Sequence, residues 1–108
     1  MPKRYKLVVY VPLSHADQVR EALGKAGAGK IGSYSFCSFS TRGTGRFKPE
    51  AGAHPHSGTV GNFESVEEER IEVICDATVL AEVIAAMQQA HPYDEVAYDL
   101  YLLKTPKD

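Results

Sequence analysis

The chain has 108 residues, 44% of them hydrophobic, which suits one small globular domain over residues 1–108 with a single core. Its 12 basic and 14 acidic side chains give a formal net charge of −2. This near balance favours neither nucleic-acid binding nor attachment to a membrane surface. Two cysteines are too few for the disulfide framework of a small secreted domain. We therefore expect a cytoplasmic protein with reduced thiols, no signal peptide and no membrane-spanning segment.

The first two predicted elements are a strand and a helix. Residues 5–11 are β-branched, aromatic and almost continuously apolar, as in a central strand, and Pro12 ends the run. Ser14, with Asp17 three residues later, has the pattern of a capping box and predicts the start of a helix. Gly27 predicts its end. The helix has one apolar stripe, formed by Ala16, Val19, Leu23 and Ala26.

The middle of the chain is predicted to be a strand over residues 34–41, followed by a long loop over residues 42–65. The loop assignment depends on five glycines and two prolines in that stretch. Most connections in a compact domain have about 4–6 residues, so a loop of this length is unusual. We therefore expect any function to reside in it.

The last part of the chain predicts a strand, a helix and a strand. Residues 69–75 alternate between charged and apolar, as on a half-buried antiparallel strand. Asp76 or Thr78 is expected to cap the second helix, and Pro92 to end it. Residues 95–103 form the final strand. The element order β-α-β-β-α-β predicts an α+β, ferredoxin-like sandwich with two helices on one face of an antiparallel sheet.

The face of the sheet away from the helices is expected to be only partly polar. Tyr10, Phe36 and Tyr101 are candidates for it. Apolar side chains on an open face favour packing against another subunit. We therefore expect a homo-oligomer.

One candidate metal site centres on His54 and His56, which are separated by a proline. Neutral imidazole binds copper, zinc or nickel, and the thiolate of Cys37 and the carboxylate of Glu64 are further candidate ligands. Only one close pair of ligands is present, whereas the familiar zinc motifs have two. The alternative is a pair of solvated histidines in a mobile loop.

A candidate anion site is formed by Arg42, Arg46 and Lys48. Gly43 and Gly45, between these cations, would allow backbone N–H groups to approach a phosphate or a carboxylate. The Walker pattern for nucleotide phosphates is absent. The alternative is a flexible, soluble hairpin tip.

His91, at the predicted end of the second helix, precedes Tyr93 and two carboxylates. A structural role for His91 is favoured over acid–base chemistry, since a histidine there can interact with the helix dipole. No nucleophile motif or Ser-His-Asp order is present, so no catalytic residue is assigned. The alternative function is a small metal-dependent hydrolase that uses His54, His56 or His91 with Glu64.

Five segments, taken together, resemble the PII-like domain inserted in YqfO-type members of the Nif-three (Ngg-one-interacting factor three) family. The last of them also resembles the CutA proteins, which are similar in fold. The segments are G-x-Y-S-x-C-S-F from Gly32, G-x-G-R-F-x-P from Gly43, G-x-x-G-x-x-E from Gly58, E-E-x-R-I-E from Glu67 and H-P-Y-D-E-V-A-Y-D from His91.

The resemblance implies a ferredoxin-like domain that assembles through its sheets, as a dimer or a trimer. It also implies a binding or sensor module, because PII proteins signal through the loop between the second and third strands. Larger Nif-three proteins hold two metal ions in a flanking domain, so neither that site nor the hydrolase label transfers to these residues. CutA relatives are associated with copper, with Cys37 as a rough analogue of the cysteines involved. A partner protein is the other candidate ligand of the loop.

Overall fold

A computed structural model describes residues 3–106 as a four-stranded antiparallel sheet with two helices packed on one face. The order of the strands in the sheet is β2-β3-β1-β4. The predicted β-α-β-β-α-β order and the ferredoxin-like α+β class are confirmed. The elements are β1 (Arg4–Pro12), α1 (Ala16–Lys25), β2 (Phe39–Phe47), β3 (Glu64–Asp76), α2 (Leu80–Ala90) and β4 (Tyr98–Leu102).

The core lies between the sheet and the helices. Alternate residues of a strand point to the same face, so Leu7, Val9 and Val11 of β1 all meet the helices. Val8 points to the other face and is nevertheless fully buried. The remaining fully buried or nearly buried residues of the core are Ala16, Val19, Leu23, Ala28, Ile71, Val73, Cys75, Val83 and Met87.

The β2–β3 hairpin is longer, and its loop shorter, than the sequence predicts. β2 continues to Phe47 and β3 begins at Glu64, so the connecting loop covers residues 48–63 rather than 42–65. Gly43 and Gly45 lie in a regular ladder, opposite Glu68 and Val66. Gly43 and Gly45 led to the prediction of a loop, but glycine only weakens a strand and does not exclude one. Pairing with β3 makes these residues part of a strand.

The predicted strand over residues 34–41 is wrong in its first half. Ile31 and Tyr34 form an isolated bridge that closes a turn, and Phe36 has a φ of 59°, which is incompatible with extended backbone. β2 therefore begins only at Phe39. The ring of Phe36 lies against Gly24 of α1 instead of on the open sheet face.

The predicted helix caps do not form. Each helix follows a short 3-10 turn and has no hydrogen bond from a capping side chain. The Ser14 hydroxyl bonds with Nδ1 of His15 at 2.8 Å, so it is not available as a cap. The helix ends are as predicted, after Lys25 and before Pro92. Within residues 3–106, neither helix has the length and apolar character needed to cross a bilayer.

The open face of the sheet carries Tyr10 and Tyr101, as predicted. In the ladder Tyr10 lies opposite Arg70, and Tyr101 lies opposite Lys6. β4 is shorter than the predicted 95–103 and pairs only with β1. The β2–β3 ladder extends past the end of β1, since Pro12 pairs with Glu68 while β3 still has four more residues to pair with β2. This extension brings the loop 48–63 to one end of the sheet.

Candidate functional site

The loop 48–63 folds back onto the turn that follows α2. The backbone N–H of His54 donates to Oδ2 of Asp94 at 2.9 Å, which lowers the pKa of that exposed carboxyl. The ring of His56 lies 6.1 Å from the ring of Tyr93, centroid to centroid. Within the loop, the N–H of Gly61 donates to the carbonyl of Pro49 at 2.8 Å. The loop is thus closed on itself and attached to the body of the domain.

The space between this loop and residues 93–97 is a cleft of about 500 Å³, here called the loop cleft. Its rim carries Arg46 and Lys48, but the ammonium of Lys48 lies 3.8 Å from a carboxylate oxygen of Glu50. The carboxylates outnumber the cations, so the loop cleft has an acidic character. They belong to Glu50, Glu68, Asp94 and Glu95.

Tyr93 connects the loop cleft to the sheet. Its hydroxyl donates to Oε2 of Glu68 at 2.9 Å. Burial, assisted by the neighbouring Glu68 carboxylate, raises the pKa of Tyr93 far above its ordinary value of 10, so the phenol stays protonated and keeps donating. Gly45 makes this arrangement possible, because a Cβ at that position would overlap the Glu68 carboxylate.

His91 has a structural role, and hydrogen bonds account for it. The side chain is buried, its Nε2 lies 2.7 Å from the Tyr10 carbonyl, and Nδ1 accepts from the N–H of Tyr93 at 3.2 Å. The Nε2 must therefore carry the proton. Burial lowers the pKa of His91 below 6.5, with smaller contributions from His15 and His56. The imidazole is neutral, and both of its nitrogens are engaged.

A second cleft, of about 420 Å³, lies on the open sheet face next to the first and is here called the arginine cleft. It is lined by three arginines, Arg42, Arg46 and Arg70, and by a single carboxylate, that of Glu68. Arg46, Glu68 and Gly45 line both clefts, so the two spaces adjoin. Tyr10, Thr41 and Thr44 also line it.

The arginines of this cleft differ in how far carboxylates neutralise them. Within residues 3–106, neither Arg42 nor Arg46 forms an ion pair. Nε of Arg70 is buried and 3.2 Å from a Glu72 carboxylate oxygen, yet the pair lacks hydrogen-bond geometry and the N–H has no acceptor among the described residues. An orphaned donor of this kind is costly unless a ligand or water supplies the acceptor.

The predicted anion residues lie close together but not in one group. Arg42 lines the arginine cleft, Lys48 lines the loop cleft, and Arg46 lines both. Sequence reasoning missed Arg70. The alternation of β3 provided a signal, since it puts Arg70, which pairs with Thr41, on the open face of the sheet. Arg42 and Arg46 pair with Glu69 and Ser65, so their Cβ atoms start from the other face of β2.

The predicted metal residues are spread over the molecule. Cys37 lies near the start of β1. Its N–H donates to the carbonyl of Gly29, and the N–H of Gly29 donates to the carbonyl of Ile74, which pairs with Lys6 of β1. His56 lies at the other end of the sheet, beside His15. The structure therefore does not bring Cys37 together with the histidines.

The other two predicted ligands also stay apart. His54 is exposed, and the Glu64 carboxylate packs over Gly58. Within the part of the chain that the structure describes, no group of three or more His, Cys, Asp and Glu side chains is close enough to hold a metal ion.

No family model matches the chain, but curated proteins and solved structures are similar to it. It is 59% identical over 99 residues to the GTP cyclohydrolase 1 type 2 homolog of Halalkalibacterium halodurans, covering 92% of this chain and 27% of that protein. The homolog of the same name from Bacillus subtilis is 55% identical over 96 residues, with 89% and 26% covered.

A crystal structure of the Bacillus cereus protein related to NIF3 superposes with a TM-score of 0.84 and 52% identity, over 96% of this chain and 26% of that one. The chain is similar to a domain of Nif-three-related proteins. The resemblance inferred from the sequence is therefore confirmed, and this Nif-three-type domain spans about a quarter of the length of the relatives it matches.

The fold also occurs in proteins that match over most of their length. The periplasmic divalent cation tolerance protein CutA from Archaeoglobus fulgidus has a TM-score of 0.69 and 16% identity, over 94% of this chain and 85% of that one. At this identity the likeness shows a shared fold. The chain is thus a small module of the Nif-three and CutA-like type.

Proposed function

We propose that this Nif-three-type domain is a binding module for a small molecule carrying a phosphate or carboxylate group, and that the arginine cleft holds the anionic group. The observation that carries the proposal is the buried Nε of Arg70, which among residues 3–106 has an ion pair with Glu72 but no hydrogen-bond acceptor. Arg42 and Arg46, which also line the cleft, have no ion pair within those residues. Guanidinium groups donate in a fork that matches the oxygens of carboxylates and phosphates. An anion there would supply an acceptor for Arg70, and the long side chains of Arg42 and Arg46 would reach it around the edge strand β2.

The adjoining loop cleft has room for the part of the ligand that carries no negative charge. The rings of Phe47 and Tyr93 lie 6.1 Å apart at its wall and offer a surface for a less polar or ring-shaped part. A ligand held by Arg46 would extend past Gly45 into this space. Since the relatives are named as GTP cyclohydrolase homologs, GTP is a natural first probe, with pyrophosphate to isolate the anionic part.

We assign binding, and no reaction, to this domain. The chain spans about a quarter of its relatives, so whatever the whole proteins catalyse is not assigned to these residues. Binding of a charged metabolite by such a module would suit a sensor that responds to its level in the cytoplasm.

The module is further proposed to self-associate through the open face of the sheet, as a dimer or a trimer. Phe39 and Tyr101 lie on that face and are 65% and 50% exposed. A second copy would remove these rings from water. Sedimentation analysis tests this: Phe39→Glu should lower the mass of the assembly, and a wild-type chain that sediments as a monomer would contradict it.

Titration calorimetry with pyrophosphate and GTP tests the binding site. We expect Arg42→Gln, Arg46→Gln and Arg70→Gln each to weaken binding about tenfold, the equivalent of about 1.4 kcal/mol. Arg4→Gln is the matched control, since Arg4 has the same charge but lies six residues from Tyr10 along β1, about 20 Å away. No binding of either probe, or an equal loss for Arg4→Gln, would contradict the proposal.

A further inference from the structure

His15 and His56 form a pair that the sequence does not reveal. His15 precedes α1 and His56 belongs to the loop 48–63. Their ring centroids lie 5.4 Å apart, with the ring planes at 84° to each other. The loop thus meets the body of the domain through two potential metal ligands from distant parts of the chain.

This spacing suits a shared metal ion. A zinc–nitrogen bond of about 2.0–2.1 Å puts the ion about 3.2 Å from each ring centroid, and two imidazoles on a tetrahedral ion then have centroids about 5 Å apart. The observed 5.4 Å is close to this value.

The hydrogen bonds around the pair leave nitrogens for ligation. The Ser14 hydroxyl bonds with Nδ1 of His15 at 2.8 Å and leaves Nε2 of that ring uncommitted. Such an outer contact also fixes the orientation of a ligating imidazole. His91, the third histidine nearby, uses both nitrogens in hydrogen bonds and cannot be a ligand in this arrangement.

The electrostatic surroundings favour a cation. His56 lines the loop cleft, where four carboxylates face two basic side chains, one of them already near Glu50. Acidic groups close to a site raise the local concentration of cations. The arginine cleft, with the opposite charge, lies on the far side of Gly45.

We propose that His15 and His56 form an open, two-histidine site for a divalent transition metal ion. The ion fastens the loop 48–63 to the start of α1 and so stiffens one wall of the loop cleft. Its other coordination positions are left for water or for a donor group of a bound molecule. Imidazole nitrogens suit nickel, copper and zinc. The site replaces the predicted pairing of His56 with His54, Cys37 and Glu64.

Calorimetry on the tag-free chain, freed of metal with a chelator, tests the site with nickel and zinc ions. We expect one ion per chain, and at least tenfold weaker binding after His15→Gln or His56→Gln. His54→Gln is the matched control, since it removes an imidazole from the same loop but not from the pair, and it should bind as tightly as the parent. Cys37→Ser should also leave the affinity unchanged.

Nuclear magnetic resonance of the unmodified chain gives a second test that does not depend on variants folding. Added zinc should shift the ring signals of His15 and His56 together, at the same ratio of metal to protein, and leave those of His54 and His91 in place. Ring signals of His15 that do not respond to zinc, or nickel binding that survives loss of both paired histidines, would overturn the proposal.

Discussion

The hydroxyl of Tyr93 donates a hydrogen bond of 2.9 Å to Oε2 of Glu68 and joins the turn after α2 to the open face of the sheet. The two residues form a wall of the loop cleft, and Glu68 also contributes the one carboxylate of the arginine cleft. The bond keeps the Glu68 carboxylate beside Tyr93, and within residues 3–106 that carboxylate forms no ion pair with the neighbouring arginines.

Removal of this bond should destabilise the domain. Bonds to charged groups contribute about 1.5–3 kcal/mol, and partial exposure puts this one at the lower end. We expect Tyr93→Phe to lower the free energy of unfolding by about 1.5 kcal/mol in urea denaturation. In a double-mutant cycle with Glu68→Gln, the two effects should not be additive. Additive losses would show that the two side chains do not interact.

A comparison of alanine substitutions at Gly45 and Gly43 tests why position 45 of β2 is a glycine. A Cβ at position 45 would overlap the Glu68 carboxylate, whereas one at position 43 would have nothing within 4 Å. Both glycines are in β2, so any change in strand propensity is the same for both. We expect Gly45→Ala to displace Glu68 and cost about 1 kcal/mol more than Gly43→Ala, measured by urea denaturation. Equal effects would contradict this.

Much of the fold could be predicted because single elements carry strong local signals. The apolar run of β1 and the alternation of β3 depend on burial, which the sequence shows directly. The extent of β2 could not be predicted, since Gly43 and Gly45 are loop residues by local preference. Their place in a ladder depends on pairing with β3, which is not a local property.

The candidate site was less predictable, for a similar reason. Arg42, Arg46 and Lys48 are close in sequence, and the sequence predicts them as a group, whereas Arg70 reaches the same cleft only because β3 pairs with β2. The pairing of His15 with His56 depends on how the loop folds back, and no spacing in the sequence signals it.

The stability of the domain should decrease as the pH falls from about 7 to 5. Burial lowers the pKa of His91 below 6.5, so the unfolded chain takes up a proton there before the folded chain does. The contribution of neutral His91 is fully present above about pH 6.5 and is lost progressively as the pH approaches the lowered folded value. Urea denaturation at a series of pH values measures this slope.

The control for that slope is His91→Gln, which removes the titrating group. The variant should be less stable than the parent at pH 8, because it loses the bonds to Tyr10 and Tyr93, but its stability should change less between pH 7 and 5. An unchanged slope in the variant would assign the effect to other groups.

The contact between Gly24 and Phe36 predicts that alanine at position 24 destabilises the domain, although alanine normally stabilises a helix relative to glycine. Alanine in place of a helical glycine normally stabilises by about 1 kcal/mol, but a Cβ at position 24 would overlap the Phe36 ring. We therefore expect Gly24→Ala to lower the melting temperature in the parent chain and to raise it in the Phe36→Ala background. A stabilising effect in both backgrounds would show that the ring moves aside without cost.

The most direct measurement of the proposed function observes the Nε–Hε signals of the arginine side chains by nuclear magnetic resonance during titration with pyrophosphate. We predict that the signal of Arg70, whose Nε has no hydrogen-bond acceptor within residues 3–106, shifts together with those of Arg42 and Arg46. Arg20 is the internal control, since Glu69 holds its guanidinium and raises its pKa. Its signal should not move. Shifts confined to arginines outside the cleft, or no shift of Arg70 at saturation, would contradict the arginine cleft as the binding site.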